Sequence, residues 1–142
     1  MSIEEKVKKL IKKHRTNDPF KLCKLLGIIV VFEQLGSTYG YYSKTHNVKV
    51  IHINNDLPYL KQVSTCAHEL GHAVKHPDEN SAFMKAHTYF STDKKEREAN
   101  EFMIDLLFNQ ELVEPITGWE LIEGYGIPLQ LIPTKFRNIK KF

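Results

Sequence analysis

The sequence predicts an α+β fold, in which a small sheet formed early in the chain packs against helices. Three features support this prediction: an amphipathic charged start, β-branched segments between residues 28 and 53, and two long stretches of helical spacing at 58–76 and 94–108. The 142 residues suit one domain with one core. We expect that core over residues 17–108, followed by short helices and a tail over 109–142.

The first part of the chain predicts two helices. Apolar residues recur at helical spacing with lysines on the other face, at Ile3, Val7, Leu10 and Ile11. Asp18 and Pro19 then suit the N-cap and first position of a short second helix. Gly27 is placed to end that helix.

Three strands are predicted next. The run 28–32 is β-branched and aromatic, and 39–43 and 48–53 read as two strands joined by a turn at 44–47. The second long helix begins after a loop at 77–93, because Asp93 with Glu96 three residues later is an N-cap signature. Pro77 ends the first long helix, which is predicted at 58–76.

Composition excludes several classes of protein. A net charge of +3, 42% apolar residues and no apolar run of membrane-spanning length indicate an ordinary globular protein. No secretion signal is evident and only two cysteines occur, so we expect a cytoplasmic location and free thiols. Basic residues cluster at 6–15 and 135–141, but no DNA-binding motif accompanies them, and we expect no direct nucleic-acid contact and no membrane contact.

The heptapeptide CAHELGH at 66–72 contains candidate metal ligands and a candidate general base. His68 and His72 are one helical turn apart, so their imidazoles share a face and can hold one Zn²⁺. Glu69 is rotated by about 100° and is placed to act as general base on a metal-held water. Gly71 is unfavourable inside a helix, which suggests that another backbone passes close by.

A catalytic zinc needs a third protein ligand. His76 is one turn too far along a straight helix and is better suited to a supporting or capping role. Cys66 points to the other side, into the core. The helix at 96–107 offers carboxylates, of which Glu96 and Glu101 suit a solvated face and Glu98 suits it less well.

These motifs resemble the ImmA/IrrE family of zinc-dependent metallopeptidases. The similarity covers residues 17–108 and rests on N-D-P-F-K-L, I-H-I-N-N-D-L, A-H-E-L-G-H-A and E-A-N-E-F. It implies that His68, His72 and Glu98 bind zinc and that Glu69 is the catalytic base. It also implies a thermolysin-like core, for which we take 48–53 as the edge strand that binds substrate by strand addition.

The resemblance further implies an antirepressor of phage or mobile-element type, which cleaves a helix-turn-helix repressor. Larger members act in stress or DNA-damage regulation, which is an alternative role. Two other hypotheses remain at this point: a module that inactivates its partner by binding, with structural zinc, and a DNA-associated regulator.

The negative charge that develops on the substrate oxygen in the transition state needs a second hydrogen-bond donor besides the metal. Four residues are candidates for it: His87, Tyr89, Tyr59 and Tyr125.

Overall fold

The computed structural model describes residues 1–109 and 123–133. Helix α1, Ile3–His14, begins at Ser2, whose hydroxyl accepts a hydrogen bond from the Glu5 amide. Helix α2, Pro19–Leu25, begins at Asp18, whose carboxylate accepts from the Phe20 amide at 2.9 Å. Gly27 follows α2 with φ of +75°, a left-handed conformation that favours glycine. The predicted N-cap at Asp18 and the predicted end of α2 at Gly27 are therefore confirmed.

A three-stranded sheet consists of β1 (Ile29–Glu33), β2 (Gly40–Thr45) and β3 (Val48–Asn54). Its spatial order is β1-β3-β2, with β1 parallel and β2 antiparallel to β3. Strands β2 and β3 form a tight hairpin whose two loop residues, His46 and Asn47, have φ of 50° and 64°. Positive φ at both positions is typical of a type I′ turn, which matches the right-handed twist of the strands.

The predicted edge strand at 48–53 is wrong, because β3 lies in the middle of the sheet. Its two sides are already paired, one with β2 through the hairpin and one with β1. A buried middle strand has no free backbone groups to offer a substrate. The edges of the sheet are β1 and β2.

Helix α3, Tyr59–Lys75, packs against β2 and β3 of the sheet, and helix α4, Lys94–Leu107, packs against α3 and α1. The connection between them holds a short 3₁₀ helix, Ala86–Phe90, within a stretch predicted as loop. Helix α4 begins at Asp93, whose carboxylate accepts from the amides of Lys95 and Glu96. This N-cap was predicted from sequence, and it fixes the position of the first turn of α4.

The contact between α3 and α4 is closest at Gly71. A Cβ atom at this position would lie 3.0 Å from Cβ of Phe102 and 3.2 Å from Cα of Ala99. The expectation that a backbone passes close to Gly71 is confirmed. The absence of a side chain at Gly71 lets α4 approach α3 near the two histidines.

The core is formed by the sheet together with the four helices, and Tyr42, Ile51, Leu70, Met103 and Leu106 are among its fully buried side chains. Cys23 and Cys66 are buried free thiols, as expected. No helix within residues 1–109 and 123–133 is long and apolar enough to cross a membrane. Beyond α4, the structure describes a 3₁₀ turn at Leu129–Leu131, and most of the predicted C-terminal helices and tail lie outside the described residues.

Candidate metal centre

The two histidines of CAHELGH lie side by side on the buried face of α3. Both His68 and His72 are buried, and their ring centroids are 5.0 Å apart. The Nε2 atoms of both rings point to the same place, where Oε1 of Glu96 lies 3.0 Å from His68 and 3.1 Å from His72. One helical turn thus brings two nitrogen donors to one point, as the spacing predicted.

Glu96 belongs to the first turn of α4, where the Asp93 cap orients it toward α3. Burial disfavours its charged form, but hydrogen bonds and positive potential from His68 and His72 outweigh burial and lower the pKa of Glu96 to about 2. Glu96 is therefore a carboxylate over the whole physiological range of pH. An ionised oxygen facing two imidazole nitrogens is the donor set of a metal site.

The structure does not bring Glu98 to this point, which corrects its predicted placement at the metal. Two residues along a helix turn the side chain by about 200°, so Glu96 and Glu98 face opposite ways. The Glu98 carboxylate instead lies 3.4 Å from Nε2 of His76 and 3.5 Å from Nζ of Lys75. The third carboxylate near His68 and His72 is Glu96.

The three side chains fit a metal ion. Their ligand atoms all lie within 4.8 Å of one another, and within the described residues this is the one group of its kind. Nδ1 of His68 lies 2.9 Å from Oδ1 of Asn100, whose amide nitrogen donates to the Thr88 carbonyl. The Asn100 oxygen therefore accepts the Nδ1 proton of His68, so Nε2, which here faces Glu96, is the ring nitrogen that would bind a metal.

Glu69 is fully buried beside this cluster. Burial raises the pKa of its carboxyl group, although the positive potential of His68 and His72 and a hydrogen bond from Ser81 act in the opposite direction. The Ser81 hydroxyl donates to Oε1 at 2.8 Å, whereas Oε2 has no hydrogen-bond partner. An unpartnered buried carboxylate oxygen next to two imidazoles is unfavourable unless a ligand or water completes the site.

A cleft of about 300 Å³ opens over the cluster and is lined by His72, Glu96, Ser81, Phe83 and His87. Among the four residues considered as second donors, only His87 lines this cleft within the described part of the chain. Tyr89 is buried and its hydroxyl accepts from Lys61, and Tyr125 is buried against Phe108. Tyr59 is 65% exposed at the far end of α3, near Phe20.

His76 and Cys66, which helical geometry argued against as metal ligands, both lie away from the cluster. His76 is the C-cap of α3, and its amide donates to the His72 carbonyl at 2.8 Å. Cys66 is in the core, with its sulfur 3.7 Å from that of Cys23. Neither contributes a ligand atom to the cluster.

Two residues of the site were not singled out from sequence. Asn100 lies one helical turn beyond Glu96, on the same face, so its spacing carried a signal within E-A-N. Ser81 comes from the 77–93 connection and reaches Glu69 only through the path of that loop. No local sequence pattern indicates such a contact.

The chain was compared with known proteins. The profile of the peptidase M78 family, described as the IrrE N-terminal-like domain, matches residues 23–123. An uncharacterized immunity region protein 2 of Bacillus phage phi105 is 34% identical over 97% of this chain and 88% of its own length. Metallopeptidase ImmA of Bacillus subtilis (strain 168) is 30% identical over 87% of this chain and 72% of its own length.

No solved structure is similar enough to count as a match. The family profile covers most of the chain and both relatives align along nearly all of it, so the resemblance noted from the motifs is confirmed. A family of metallopeptidases implies a metal ion and a protein substrate, and the cluster of His68, His72 and Glu96 can hold such an ion. The chain belongs to the IrrE N-terminal-like domain family of metallopeptidases.

Proposed function

We propose that this protein is a zinc-dependent endopeptidase in which His68, His72 and Glu96 hold the metal and Glu69 is the general base. One observation carries the proposal: three ligand atoms converge beside a buried carboxylate that has a free oxygen. The H-E-x-x-H spacing gives the same roles to His68, His72 and Glu69.

Zinc is the metal that this donor set favours. Two imidazole nitrogens and one carboxylate oxygen form the three-ligand set of catalytic zinc, which leaves one position open. A structural zinc site would be closed by four ligands and rich in cysteine. Cys66, which lies two residues before His68, points into the core and contributes no ligand atom. The donor set therefore favours a hydrolytic role over a purely structural one.

The reaction follows from the positions of the protein groups. Bound zinc supplies an activated water with a pKa lowered toward about 7 and polarises the scissile carbonyl. Glu69 takes a proton at Oε2, the oxygen without a partner, and passes it to the departing amine. The raised pKa of Glu69 makes it a stronger base than an exposed glutamate.

His87 is the residue that we assign as second donor to the developing oxyanion. It lies on the 3₁₀ helix Ala86–Phe90 at the wall of the cleft, with an exposed side chain. Tyr89, Tyr125 and Tyr59 are held elsewhere by the contacts described above. A donor aimed at the oxyanion stabilises the transition state more than the substrate, which is the condition for catalysis.

The substrate that we propose is a helix-turn-helix repressor cleaved in the cytoplasm, which makes this protein an antirepressor. The similarity to a phage immunity region protein along 97% of the chain supports such a setting. We further propose that residues 1–142 form one peptidase domain, since the family profile spans the end of α2, the sheet, α3 and α4.

Co-expression with the repressor encoded beside its gene tests this function. We expect a repressor fragment with the wild-type protein and none with Glu69→Gln, which keeps the shape of the side chain but removes its basicity. Glu101→Gln, a change at an exposed carboxylate of α4, should leave the fragment unchanged. If Glu69→Gln inactivates the repressor without cleavage as well as wild type does, the protein acts by binding and the peptidase proposal is wrong.

A further inference from the structure

The outer edge of β2 is covered by a segment of the chain that also lines the cleft. Residues 80–84, here called the strap, run antiparallel along this edge. The Ser81 amide donates to the Tyr42 carbonyl at 2.9 Å, and the Met84 amide donates to the Gly40 carbonyl at 2.9 Å. In return, the Tyr42 amide donates to the Ser81 hydroxyl at 2.8 Å.

The strap occupies the backbone groups that an added strand would use. The backbone groups of Tyr42 and Gly40 face away from β3. On the same side, the Lys44 amide donates to the Asn80 side chain at 2.9 Å. An extended peptide bound to a sheet edge pairs with such outward-facing groups. The strap therefore lies where a substrate peptide would bind.

The same segment covers the proposed base. The Ser81 hydroxyl, held at the β2 edge by the Tyr42 amide, also donates to Oε1 of Glu69 at 2.8 Å. One side chain thus links the sheet edge to the carboxylate beside His68 and His72. With the strap in this position, one of the two carboxylate oxygens of Glu69 accepts a hydrogen bond from Ser81.

The strap is weakly attached along most of its length. Ala82 and Phe83 are exposed, Phe83 to 57%, and Asn80 is also exposed. Met84 is the one fully buried side chain of the strap, and the exposed Phe83 ring packs against Tyr41 with centroids 4.8 Å apart. Segments with few buried contacts open at lower free energy than the sheet they cover.

We propose that the outer edge of β2 is the binding surface for an extended substrate peptide and that the strap is a displaceable substitute for it. This inference rests on the proposed peptidase function. A substrate segment displaces residues 80–83 while Met84 stays anchored, and the departure of Ser81 releases Glu69. The apparent activity then depends on the fraction of molecules in which the strap is open.

Hydrogen exchange of the wild-type protein with zinc tests the opening without any substrate. We expect the amides of Ser81, Tyr42 and Lys44 to exchange at least tenfold faster than those of Tyr41 and Ser43, which face β3. Asn80→Ala removes one hydrogen bond and should accelerate the three strap-dependent amides about two- to tenfold. Equal rates at all five amides, set by global unfolding, would overturn the proposal.

Cleavage of fluorescein-labelled casein tests the consequence for activity. We expect Asn80→Ala to raise kcat/KM about two- to tenfold, since a single lost hydrogen bond shifts the opening equilibrium by that factor. Asn55→Ala, a change at an exposed asparagine outside the strap, should leave kcat/KM unchanged.

The variant Ser81→Ala shows whether the strap blocks substrate binding or the Ser81 hydroxyl assists Glu69 in catalysis. If the strap blocks the site, kcat/KM rises as with Asn80→Ala. A fall in kcat would instead make Ser81 a helper of Glu69 and overturn the proposal. Absence of casein cleavage in wild type and variants alike counts against the peptidase function, and hydrogen exchange then still decides whether the strap opens.

Discussion

Asn100 fixes the tautomer of His68, and the metal affinity should depend on it. Asn100→Ala removes the acceptor of the Nδ1 proton, which lies 2.9 Å away. Supporting hydrogen bonds of this kind typically account for about 10- to 100-fold in metal affinity. We expect a loss of that size in zinc titrations monitored with a competing chelator.

Asn100→Asp is the matched control for this measurement, because a carboxylate oxygen also accepts the Nδ1 proton. Zinc affinity close to wild type is expected for Asn100→Asp. If Asn100→Ala and Asn100→Asp weaken zinc binding equally, Asn100 acts through its hydrogen bond to the Thr88 carbonyl and not through the His68 proton.

Lys61 gives the protein a pH-dependent stability. Its ammonium group lies 4.3 Å from the Tyr39 ring centre and donates to the Gly126 carbonyl and to Tyr89, and burial lowers the pKa of Lys61 to about 8. In the unfolded chain, Lys61 keeps its proton up to about pH 10.4. Between about pH 8 and pH 10.4, the unfolded chain therefore binds more protons than the folded chain. Stability contributed by Lys61 therefore rises with pH across that window.

Comparison with Lys61→Met isolates this effect in chemical denaturation. The stability of wild type relative to the variant should increase between pH 7 and pH 10, on the order of 2 kcal/mol. Tyr89 stays neutral over this range because burial raises the pKa of its hydroxyl. A difference that does not change with pH would show that the Lys61 pKa is close to its usual value.

At the residue scale, sequence predicted that His68 and His72 converge, but it placed Glu98 with them where the structure has Glu96. His68, His72 and Glu69 depend only on helical spacing, which is local information. Choosing between Glu96 and Glu98 needs the rotation of α4 about its axis, and packing against α3 at Gly71 sets that rotation. The expectation that Glu96 lies on a solvated face is wrong, because its carboxylate lies against His68 and His72.

At the scale of elements, the close approach of α3 and α4 depends on Gly71. The Cβ added by Gly71→Ala would lie 3.2 Å from the Ala99 backbone, which cannot rotate away as a side chain could. Overpacking of this kind costs about 1–3 kcal/mol, against a gain of roughly 0.5–1 kcal/mol from alanine in a helix interior. We therefore expect a net loss of about 1 kcal/mol in the free energy of unfolding, measured by urea denaturation.

Gln62→Ala, at a more exposed position on the same helix, is the control and should change stability by less than about 0.5 kcal/mol. The shift of α4 should also move Glu96 and weaken zinc binding in Gly71→Ala. Unchanged stability together with unchanged zinc affinity would contradict the account of this contact.

The sequence predicted most of the helices and strands correctly, but it did not predict how the strands pair. Caps at Asp18 and Asp93 and the hairpin turn are local signals, and each appears in the structure. The order β1-β3-β2 depends on the parallel pairing of β1 with β3, which no local pattern specifies. For this reason the middle strand was taken as the edge, and the roles that we propose for β2 and the strap rest on contacts that no local pattern specifies.

At the scale of the whole molecule, a bound metal would link the two halves of the fold. His68 and His72 lie on α3 after the sheet, and Glu96 lies on α4 beyond the connection that carries the strap. A ligand that binds only the folded state stabilises it by about 2.7 kcal/mol at a hundredfold excess over its dissociation constant. Zinc should therefore raise the Tm of the wild-type protein, and a chelator should reverse the increase.

The ligand assignment of Glu96 is the central claim, and zinc content after equilibrium dialysis tests it most directly. Glu96→Gln and Glu98→Gln make the same chemical change two positions apart on α4, so each is the control for the other. We predict one zinc ion per chain in wild type and in Glu98→Gln, and a strong loss of zinc in Glu96→Gln. Full zinc content in Glu96→Gln with loss in Glu98→Gln would contradict this account.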